Sequence, residues 1–528
     1  MKQTILFILI LLNTSVFAQN QEIDAQKVIV VDEFIPEIPD SYKINFNNNN
    51  NNDTVIIDSD FKYLLFDSHL KFSNENVDIT AVKIKGHPVS KLYNAYIKGG
   101  TLLNSISPHV NFYYNSLRLA NRKDFNWGIY GDHETFKFDN FNINSKITSV
   151  GSFIKKIEKH GIISSNLDYL SNNYNCYANN DDIKKYNLFS VKGEYNNLIK
   201  NQNNIDFDIS IDAYNLKVDN SHQESAFELG ANINHELFDK EFTTSLFVEF
   251  SKGGIVTSDF SVVSWETSTV FDFQSIVSWY LKDIHINSGF IYSYNESSHL
   301  YPYFEFLIND NSEYNKLSFL ISGDYVQNNI IDRIFENQYL ADSLDMLEQN
   351  QKFKFILNHS TKFSNSIFSQ NNISFHDSRD MHIYNLDTNN RYMILYDDVK
   401  TLQFKSSFLY NYNKDINVRS VFVYSKFFMT DLSHAFFQPE IEFILETEYN
   451  YSDQISFSFS FDSGFKRWDS DGSLMNPISN ADLRMNYQLN EFFNIDFIVN
   501  NIQFSDYQKW SNYSPYPTSF LIQLSYVL

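Results

Sequence analysis

Apolar and polar residues alternate one by one along most of this 528-residue chain, from about residue 79 to its end. Period-two alternation predicts β-strands that have one apolar and one polar face. The stretches 205–213 (IDFDISIDA) and 492–501 (FFNIDFIVNN) follow this pattern. A third stretch, QISFSFSFDS at 454–463, carries on its apolar face Ile455, Phe457, Phe459 and Phe461.

The N-terminus has the pattern of a secretory signal peptide. Lys2 supplies a positive charge, residues 5–12 (ILFILILL) form a short apolar core, and Val16-Phe17-Ala18 resembles a cleavage site. The apolar run is too short to span a bilayer comfortably. We therefore expect residues 1–18 to be removed and the mature chain to begin at Gln19.

After this leader, no apolar stretch approaches the roughly 20 residues that a membrane-spanning helix needs. Roughly 18 to 22 alternating segments of about ten residues are instead present, a length typical of strands that cross a membrane. Toward the C-terminus, short turns alternate with long connections such as 506–518, as in outer-membrane barrels. The sequence predicts an all-β fold, a large antiparallel transmembrane β-barrel of about 16–22 strands.

Three regions are predicted. Residues 1–18 are the signal peptide, residues 19–78 a periplasmic N-terminal segment with an asparagine-rich linker at 47–52, and residues 79–528 the transmembrane barrel. Asparagine runs have nothing to bury and favour a linker. Helical periodicity is rare, and the best helical candidate, 330–349, is expected in a long connection between strands.

Composition and motifs exclude several function classes. The formal net charge of −23 lacks the basic footprint of a nucleic-acid-binding protein. Cys176 is the only cysteine, so no internal disulfide can form. We identify no catalytic constellation, metal site or cofactor, and expect no enzyme. The stretch DSDG (469–472) has the look of a calcium loop but lacks the closing glutamate, which favours a turn.

The last strand, SFLIQLSYVL, resembles the terminal strand of bacterial outer-membrane proteins, whose alternating apolar and aromatic residues act as an assembly signal. On this face the chain carries Phe520, Ile522, Leu524, Tyr526 and Leu528. The resemblance implies that the assembly machinery of the outer membrane is a partner, together with the lipid bilayer. Periplasmic or surface proteins are further candidate partners.

Two hairpins resemble those of TonB-dependent receptor barrels. The stretch 500–517 resembles their last hairpin, with Asn500, Asn501, Tyr507, Trp510, Tyr513 and Pro517. The stretches 88–100 and 110–119 resemble the opening hairpin of plugless relatives of these receptors. The family normally carries a plug domain ahead of its barrel, and residues 19–78 show no recognisable plug. The resemblance therefore implies the barrel architecture more than energised transport.

Candidate site residues follow from the alternation. We predict that Ile455, Phe457, Phe459 and Phe461 face lipid. Asp206, Asp208 and Asp212 are candidates for lining a lumen that favours cations, and simple wetting of the polar face is an equal alternative. Aromatic residues near strand ends are expected in the girdles at the two membrane interfaces, and they include Tyr410, Tyr412, Trp468 and Trp510.

The leading functional hypothesis is passage of a solute or polymer through the outer membrane of a Gram-negative bacterium, as a porin-like or receptor-like barrel, or service as the barrel subunit of an assembly. One alternative is a structural or binding barrel that acts through its outer loops. An enzyme at the outer rim would need clustered acid and base residues. A secreted soluble β-protein is the alternative for the fold.

Overall fold

The computed structural model describes residues 95–527, apart from short stretches that lie between strands. Twenty-two strands form one antiparallel sheet, and the first strand pairs with the last, so the sheet closes into a barrel. This confirms the predicted all-β barrel, at the upper end of the expected strand number. The signal peptide, the segment 19–78 and the boundary at 79 lie outside the described residues, as does Leu528.

The strands of the first half are β1 Ala95–Leu102, β2 Pro108–Asn115, β3 Phe125–Phe138, β4 Ile143–Ile157, β5 Gly161–Asn175, β6 Ile183–Asn197, β7 Ile205–Val218, β8 His222–Leu237, β9 Lys240–Val256, β10 Val262–Leu281 and β11 Ile284–Asn295. Those of the second half are β12 Ser297–Asn309, β13 Asn315–Val326, β14 Gln349–Ser364, β15 Ile367–Leu386, β16 Tyr392–Tyr412, β17 Ile416–Met429, β18 Ile441–Asn450, β19 Ile455–Phe465, β20 Ile478–Gln488, β21 Phe493–Gln503 and β22 Ser519–Val527. A helix, α1, spans Ile330–Glu336.

The closing seam joins β1 and β22. Its register runs from Tyr96 opposite Val527 to Leu102 opposite Leu521. Closure pairs the backbone groups that an open sheet would leave at its two edges. No helix among the described residues has the length and apolar character needed to cross a bilayer.

Alternation along the strands gives the barrel two different faces. In β22, Phe520 and Leu524 are 46% and 49% exposed, whereas Leu521 between them is 4% exposed. Many other apolar side chains are exposed at every second position, among them Ile209 and Ile211 of β7 and Phe290 and Tyr294 of β11. An apolar surface this extensive is far larger than the patches that soluble monomers expose to water.

The connections differ between the two ends of the barrel. At one end, strands of the second half are joined by short turns, which are 365–366, 413–415, 451–454 and 489–492. At the other end, long connections span 327–348, 430–440, 466–477 and 504–518. The alternation of short and long connections predicted toward the C-terminus is confirmed from residue 413 onward, whereas the connection 387–391 is short although it lies at the same end as the long ones. We call the end with the long connections the mouth.

The main buried core lies at the mouth rather than midway along the barrel. Side chains from the ends of β5, β6 and β7 pack there against the connections 327–348, 430–440 and 504–518. The predicted helix does lie in a long connection, but it is shorter than the stretch 330–349, because α1 ends at Glu336 and a turn follows at Gln338 and Tyr339.

Candidate functional site

The connection between β13 and β14 leaves the wall of the barrel and crosses toward strands that are distant in the sheet. We call its first part, residues 327–341, the crossing segment. The Glu224 carboxylate of β8 accepts hydrogen bonds from the Ile330 backbone N–H (2.9 Å) and the Tyr214 hydroxyl (2.7 Å). Glu249 of β9 accepts one from the Gln327 amide (2.6 Å). Two buried carboxylates thus fix the start of the segment to the far wall.

Charged groups fix α1 to β15. The Arg333 guanidinium lies 2.6 Å from the Glu336 carboxylate and also contacts the His382 ring. The Tyr384 hydroxyl donates to the same carboxylate at 2.8 Å. Burial by itself would raise the pKa of Glu336, but His382 and Arg333 outweigh this and lower that pKa to about 2. The carboxylate is therefore charged at neutral pH and joins helix to strand.

After α1 the crossing segment passes through a turn at Gln338 and Tyr339, and the side chains of Asn337, Tyr339 and Leu340 are buried. The Tyr392 N–H donates to the Tyr339 carbonyl at 3.0 Å, and the Ala341 N–H donates to the Tyr392 carbonyl at 2.7 Å, which forms a short parallel bridge. On its other side, the Gln338 carbonyl accepts from the Tyr174 hydroxyl, and the Leu340 carbonyl accepts from the Lys184 ammonium group. Strands β5, β6 and β16 thus hold its backbone.

Arg467 joins the remaining long connections. It is 0% exposed, and its guanidinium donates to the carbonyl groups of Phe437 (3.4 Å), Gln508 (2.9 Å) and Lys509. Burial lowers its pKa to about 10. Because carbonyl dipoles rather than a paired carboxylate receive this cation, removing the side chain would leave several buried acceptors unsatisfied. Arg467 therefore ties together the connections 430–440, 466–477 and 504–518.

Strained backbone accompanies these contacts. Phe437 and Lys466, on either side of the Arg467 junction, have φ angles of 64° and 55°. Asn390 and Asn512 have φ angles of 59° and 67° and hydrogen-bond to each other through their side chains at 2.8 Å. The left-handed region is costly for a residue with a Cβ, most of all for a bulky one such as Phe437. The packing at the mouth therefore stores conformational strain, chiefly at Phe437.

Aromatic rings fill the space between the connections. Tyr339 stacks on Tyr513 with ring centroids 3.7 Å apart, and Tyr392 meets Trp510 at 5.1 Å. Trp468 and Trp510 both pack against this core. The prediction that these two tryptophans lie in an interfacial girdle is wrong, because the connections that carry them turn inward over the mouth.

The structure separates the predicted site residues into different places. Phe457 and Phe461 of β19 contact the rings of Tyr449 and Phe443 on the same face of β18, and Ile455 and Phe459 share that face of the strand. Phe520, Ile522, Leu524 and Tyr526 share one face of β22, as far as the chain is described. Tyr410 and Tyr412 stack at the end of the barrel opposite the mouth.

The three aspartates of β7 alternate with exposed isoleucines and do not converge on a single point. The Asp212 carboxylate lies 3.8 Å from the Lys192 ammonium group of β6. Asp206 and Asp208 lie further along β7, toward the end with the short turns. Their placement is that of a polar wall rather than of a binding site.

The DSDG stretch forms a turn. Gly472 has a φ of 82°, and its N–H donates to the Asp469 carbonyl at 2.9 Å. The Asp471 carboxylate accepts from the Ser473 N–H at 2.8 Å, which is a local turn contact. Within the described part of the chain, no three His, Cys, Asp or Glu side chains are grouped to hold a metal ion.

Comparison with known proteins finds likeness at the level of structure. No family model matches the sequence, and no curated protein matches it. The siderophore receptor PirA from Acinetobacter baumannii superposes with a TM-score of 0.60 at 11% identity, over 84% of this chain and 81% of that chain. The ferric-catecholate import receptor Fiu from E. coli K12 gives 0.63 at 10% identity, over 84% and 82%.

A third neighbour is the ferripyoverdine receptor of the outer membrane of Pseudomonas aeruginosa, with a TM-score of 0.62 at 10% identity, over 84% of this chain and 72% of that chain. At such identities the likeness is one of fold. The neighbours are TonB-dependent receptors, so the predicted resemblance to the barrel of that family is confirmed as an architectural one. Their names describe receptors and importers, not enzymes.

Proposed function

We propose that this chain is an outer-membrane barrel that passes a polar solute when its mouth opens. The observation that carries this proposal is the packing of the long connections against one another at the mouth, around the buried residues Asn337, Tyr339 and Leu340. A purely structural barrel would have no need of strained, tightly packed connections at one end. The structural neighbours have a receptor-type barrel, and this fold supports the passage of a solute without indicating which one.

The outer surface supports insertion in a membrane. Exposed aromatic side chains mark both ends of the barrel, with Tyr412 and Tyr451 at the short turns and Phe428 and Phe504 near the mouth. Aromatic residues at these levels are typical of membrane interfaces, and the apolar band between them suits lipid. In this proposal, cleavage after residue 18 releases the mature chain, and the outer-membrane assembly machinery recognises the terminal strand.

The inward face suggests which solutes pass. Asp206, Asp208 and Asp212 of β7, together with Glu228 of β8, place carboxylates on one side of the barrel wall. Lys192 is near Asp212 and offsets part of this charge. Carboxylates on a lumen wall raise the local concentration of cations and repel anions. We therefore infer that cationic or neutral polar solutes pass more readily than anionic ones.

Conductance in a planar bilayer tests the proposal. The purified wild-type chain should conduct little, whereas a variant with residues 329–341 replaced by a short Gly-Ser linker should show stable, cation-selective steps. Arg467→Ala should raise the frequency of brief openings, because it removes the side chain that joins three connections. As a control, Asp471→Ser alters an exposed turn residue and should conduct like wild type.

A binding barrel that acts through its loops is the second candidate. Asn512 and Tyr513 of the connection 504–518 donate hydrogen bonds to Asn390 of the short connection 387–391, and these bonds give the mouth a fixed outer surface, which favours this candidate. The same bilayer measurement separates the two candidates. If the replacement of 329–341 leaves a folded barrel without conductance, the lumen is not a passage and the loop-based function replaces our proposal.

A further inference from the structure

The inner wall of the barrel carries a row of aromatic side chains near the closing seam. Ile97 of β1 is 54% exposed and stands opposite Tyr526 on the outer face of β22, so Tyr96 beside it points into the lumen. Tyr113 of β2 stands opposite Tyr96, and their rings are nearly parallel, with centroids 5.7 Å apart and planes at 14°. Phe153 of β4 continues the row beyond Tyr113, at 6.2 Å and 22°. We call these three lumen-facing rings the aromatic strip.

Two glycines make room for rings that lean across a neighbouring strand. Gly128 of β3 stands opposite Phe153, and a Cβ on Gly128 would collide with the Phe153 ring. Gly151 of β4 stands opposite Tyr130 of β3, and a Cβ there would collide with the Tyr130 ring. The Tyr130 hydroxyl continues to the Asp168 carboxylate of β5, to which it donates. The rings therefore lie along the wall, and they remain partly exposed.

Unpaired amide oxygens border the strip on the side away from the mouth. Asn115 lies two residues beyond Tyr113 on the same face of β2, and it stands opposite Gly128. Asn126 lies two residues from Gly128 on β3. The side-chain oxygens of both asparagines are buried without a hydrogen-bond donor in the part of the chain that the structure describes. Such an acceptor costs free energy until a donor reaches it. The terminal torsion of asparagine is soft, so a modest turn brings the oxygen to a ligand on the strip.

The charges beside the strip disfavour an anionic ligand. Lys98, next to Tyr96 on the mouth side, and Arg484 both contact the Asp496 carboxylate, so these two cations already have an anionic partner. The Asp132 carboxylate lies further along the same side, where it accepts a hydrogen bond from the Asn111 amide at 2.9 Å. A small cation enclosed by ring faces is also a poor match, because an aromatic cage surrounds its ligand whereas these rings are nearly parallel.

We propose that the aromatic strip of Tyr96, Tyr113 and Phe153 binds a neutral oligosaccharide. The C–H groups on the face of a pyranose ring pack against the electron-rich faces of aromatic rings. The sugar hydroxyls supply the donors that the unpaired amide oxygens lack. Three successive rings extend beyond a single sugar unit, so a chain of several units gains more contact than a monosaccharide. This inference rests on the proposed function and names one class among the neutral polar solutes that the lumen admits.

The test is isothermal titration calorimetry on the full chain in detergent micelles, with maltohexaose, cellohexaose and laminarihexaose as neutral probes. At least one hexaose should bind, and glucose should bind at least about tenfold more weakly. Tyr113→Ala should weaken binding of that hexaose by about tenfold, as the loss of one stacking ring does for other ring-shaped ligands, whereas Tyr113→Phe should retain most of the affinity. Tyr114→Ala is the matched control, because Tyr114 is the next residue of β2 and is 40% exposed on the outer face.

The same titrations on the variant with a linker in place of 329–341 remove the packed mouth as a barrier to entry. If no hexaose binds either protein, or if Tyr113→Ala and Tyr114→Ala have equal effects, the proposal is wrong. Should Tyr113→Ala lose the heat-dependent gel shift of a folded barrel, Phe153→Leu replaces it, since leucine keeps an apolar side chain over Gly128 without a ring. An unchanged affinity in that variant is the contrary result. Hexaose binding without conductance retains the strip and rejects passage, and conductance without hexaose binding does the reverse.

Discussion

The Lys98 ammonium group of β1 lies 2.6 Å from the Asp496 carboxylate of β21, so the two side chains meet across β22 at the closing seam. Arg484 of β20 also contacts this carboxylate, at 3.0 Å, and Asn486 donates to it at 2.8 Å. Asp496 is almost completely buried. One carboxylate therefore connects the first strand of the barrel with its last strands.

Removing that carboxylate should weaken closure. Asp496→Ala leaves Lys98 and Arg484 without their shared partner, and breaking a buried ion pair in this way costs about 3–5 kcal/mol. The free energy of unfolding in micelles, measured by urea titration, should fall by that order. Glu446→Ala is the matched control, because its pair with Arg419 is 46–47% exposed and should contribute about 0–1 kcal/mol. Equal effects of the two substitutions would contradict the role of the seam.

The mature protein should fractionate with outer membranes. We expect it to remain there after salt and carbonate washing, since an integral barrel is held by its apolar outer face. Unheated and boiled samples should migrate differently on gels. A secreted soluble β-protein, the alternative that the sequence left open, would instead appear in the soluble fraction.

Deletion of residues 519–528 should abolish assembly, because β22 supplies both the β1 and the β21 pairing and its loss leaves open edges. Deletion of 47–52 should leave membrane levels unchanged, since an asparagine run has little to bury. Immunoblots of membrane fractions measure the membrane level of each deletion variant. Normal levels of the first deletion would show that β22 does not close the barrel.

The face of β19 that meets lipid can be measured directly. Phe459→Arg should destabilise the inserted barrel by about 2–4 kcal/mol if this side chain lies near the bilayer midplane, whereas Ser458→Arg should be tolerated. A soluble sandwich also predicts damage from Phe459→Arg, so labelled cysteines at 457, 458, 459 and 460 in a Cys176→Ser background provide the discriminating test. Lipid-borne quenchers should affect 457 and 459 only. No response at any position would reject the membrane assignment.

Acid should loosen α1. The folded pKa of Glu336 is about 2, below its ordinary value of 4.5, so the charged carboxylate stabilises the helix contact above about pH 4.5. This contribution is lost as the pH falls toward 2. Hydrogen exchange of residues 330–336 should therefore lose more protection between about pH 5 and pH 2.5 in wild type than in Glu336→Gln. The same loss in both proteins would show that this carboxylate does not hold the helix.

The barrel could be predicted because each strand encodes its own periodicity. Alternation at 205–213, 454–463 and 492–501 is local, and β7, β19 and β21 begin at or within one residue of those stretches. The mouth could not be predicted in this way. Tyr174 and Gln338 are 164 residues apart, and no pattern in either stretch identifies the other as its partner. Trp468 and Trp510 of the long connections were a signal of inward packing. Interfacial girdles are also built from aromatic residues, so the residue type alone does not distinguish the two placements.

The β1–β22 pairing also means that the barrel has no physical first or last strand. Tyr96 stands opposite Val527, so the point where the described barrel begins and the point where it ends are neighbours at the end away from the mouth. A linker of a few residues could join them, and the chain could be cut at another short turn, such as 451–454. The circularly permuted chain would then form the same strand pairs, with the strands in a different order along the chain and the mouth unchanged.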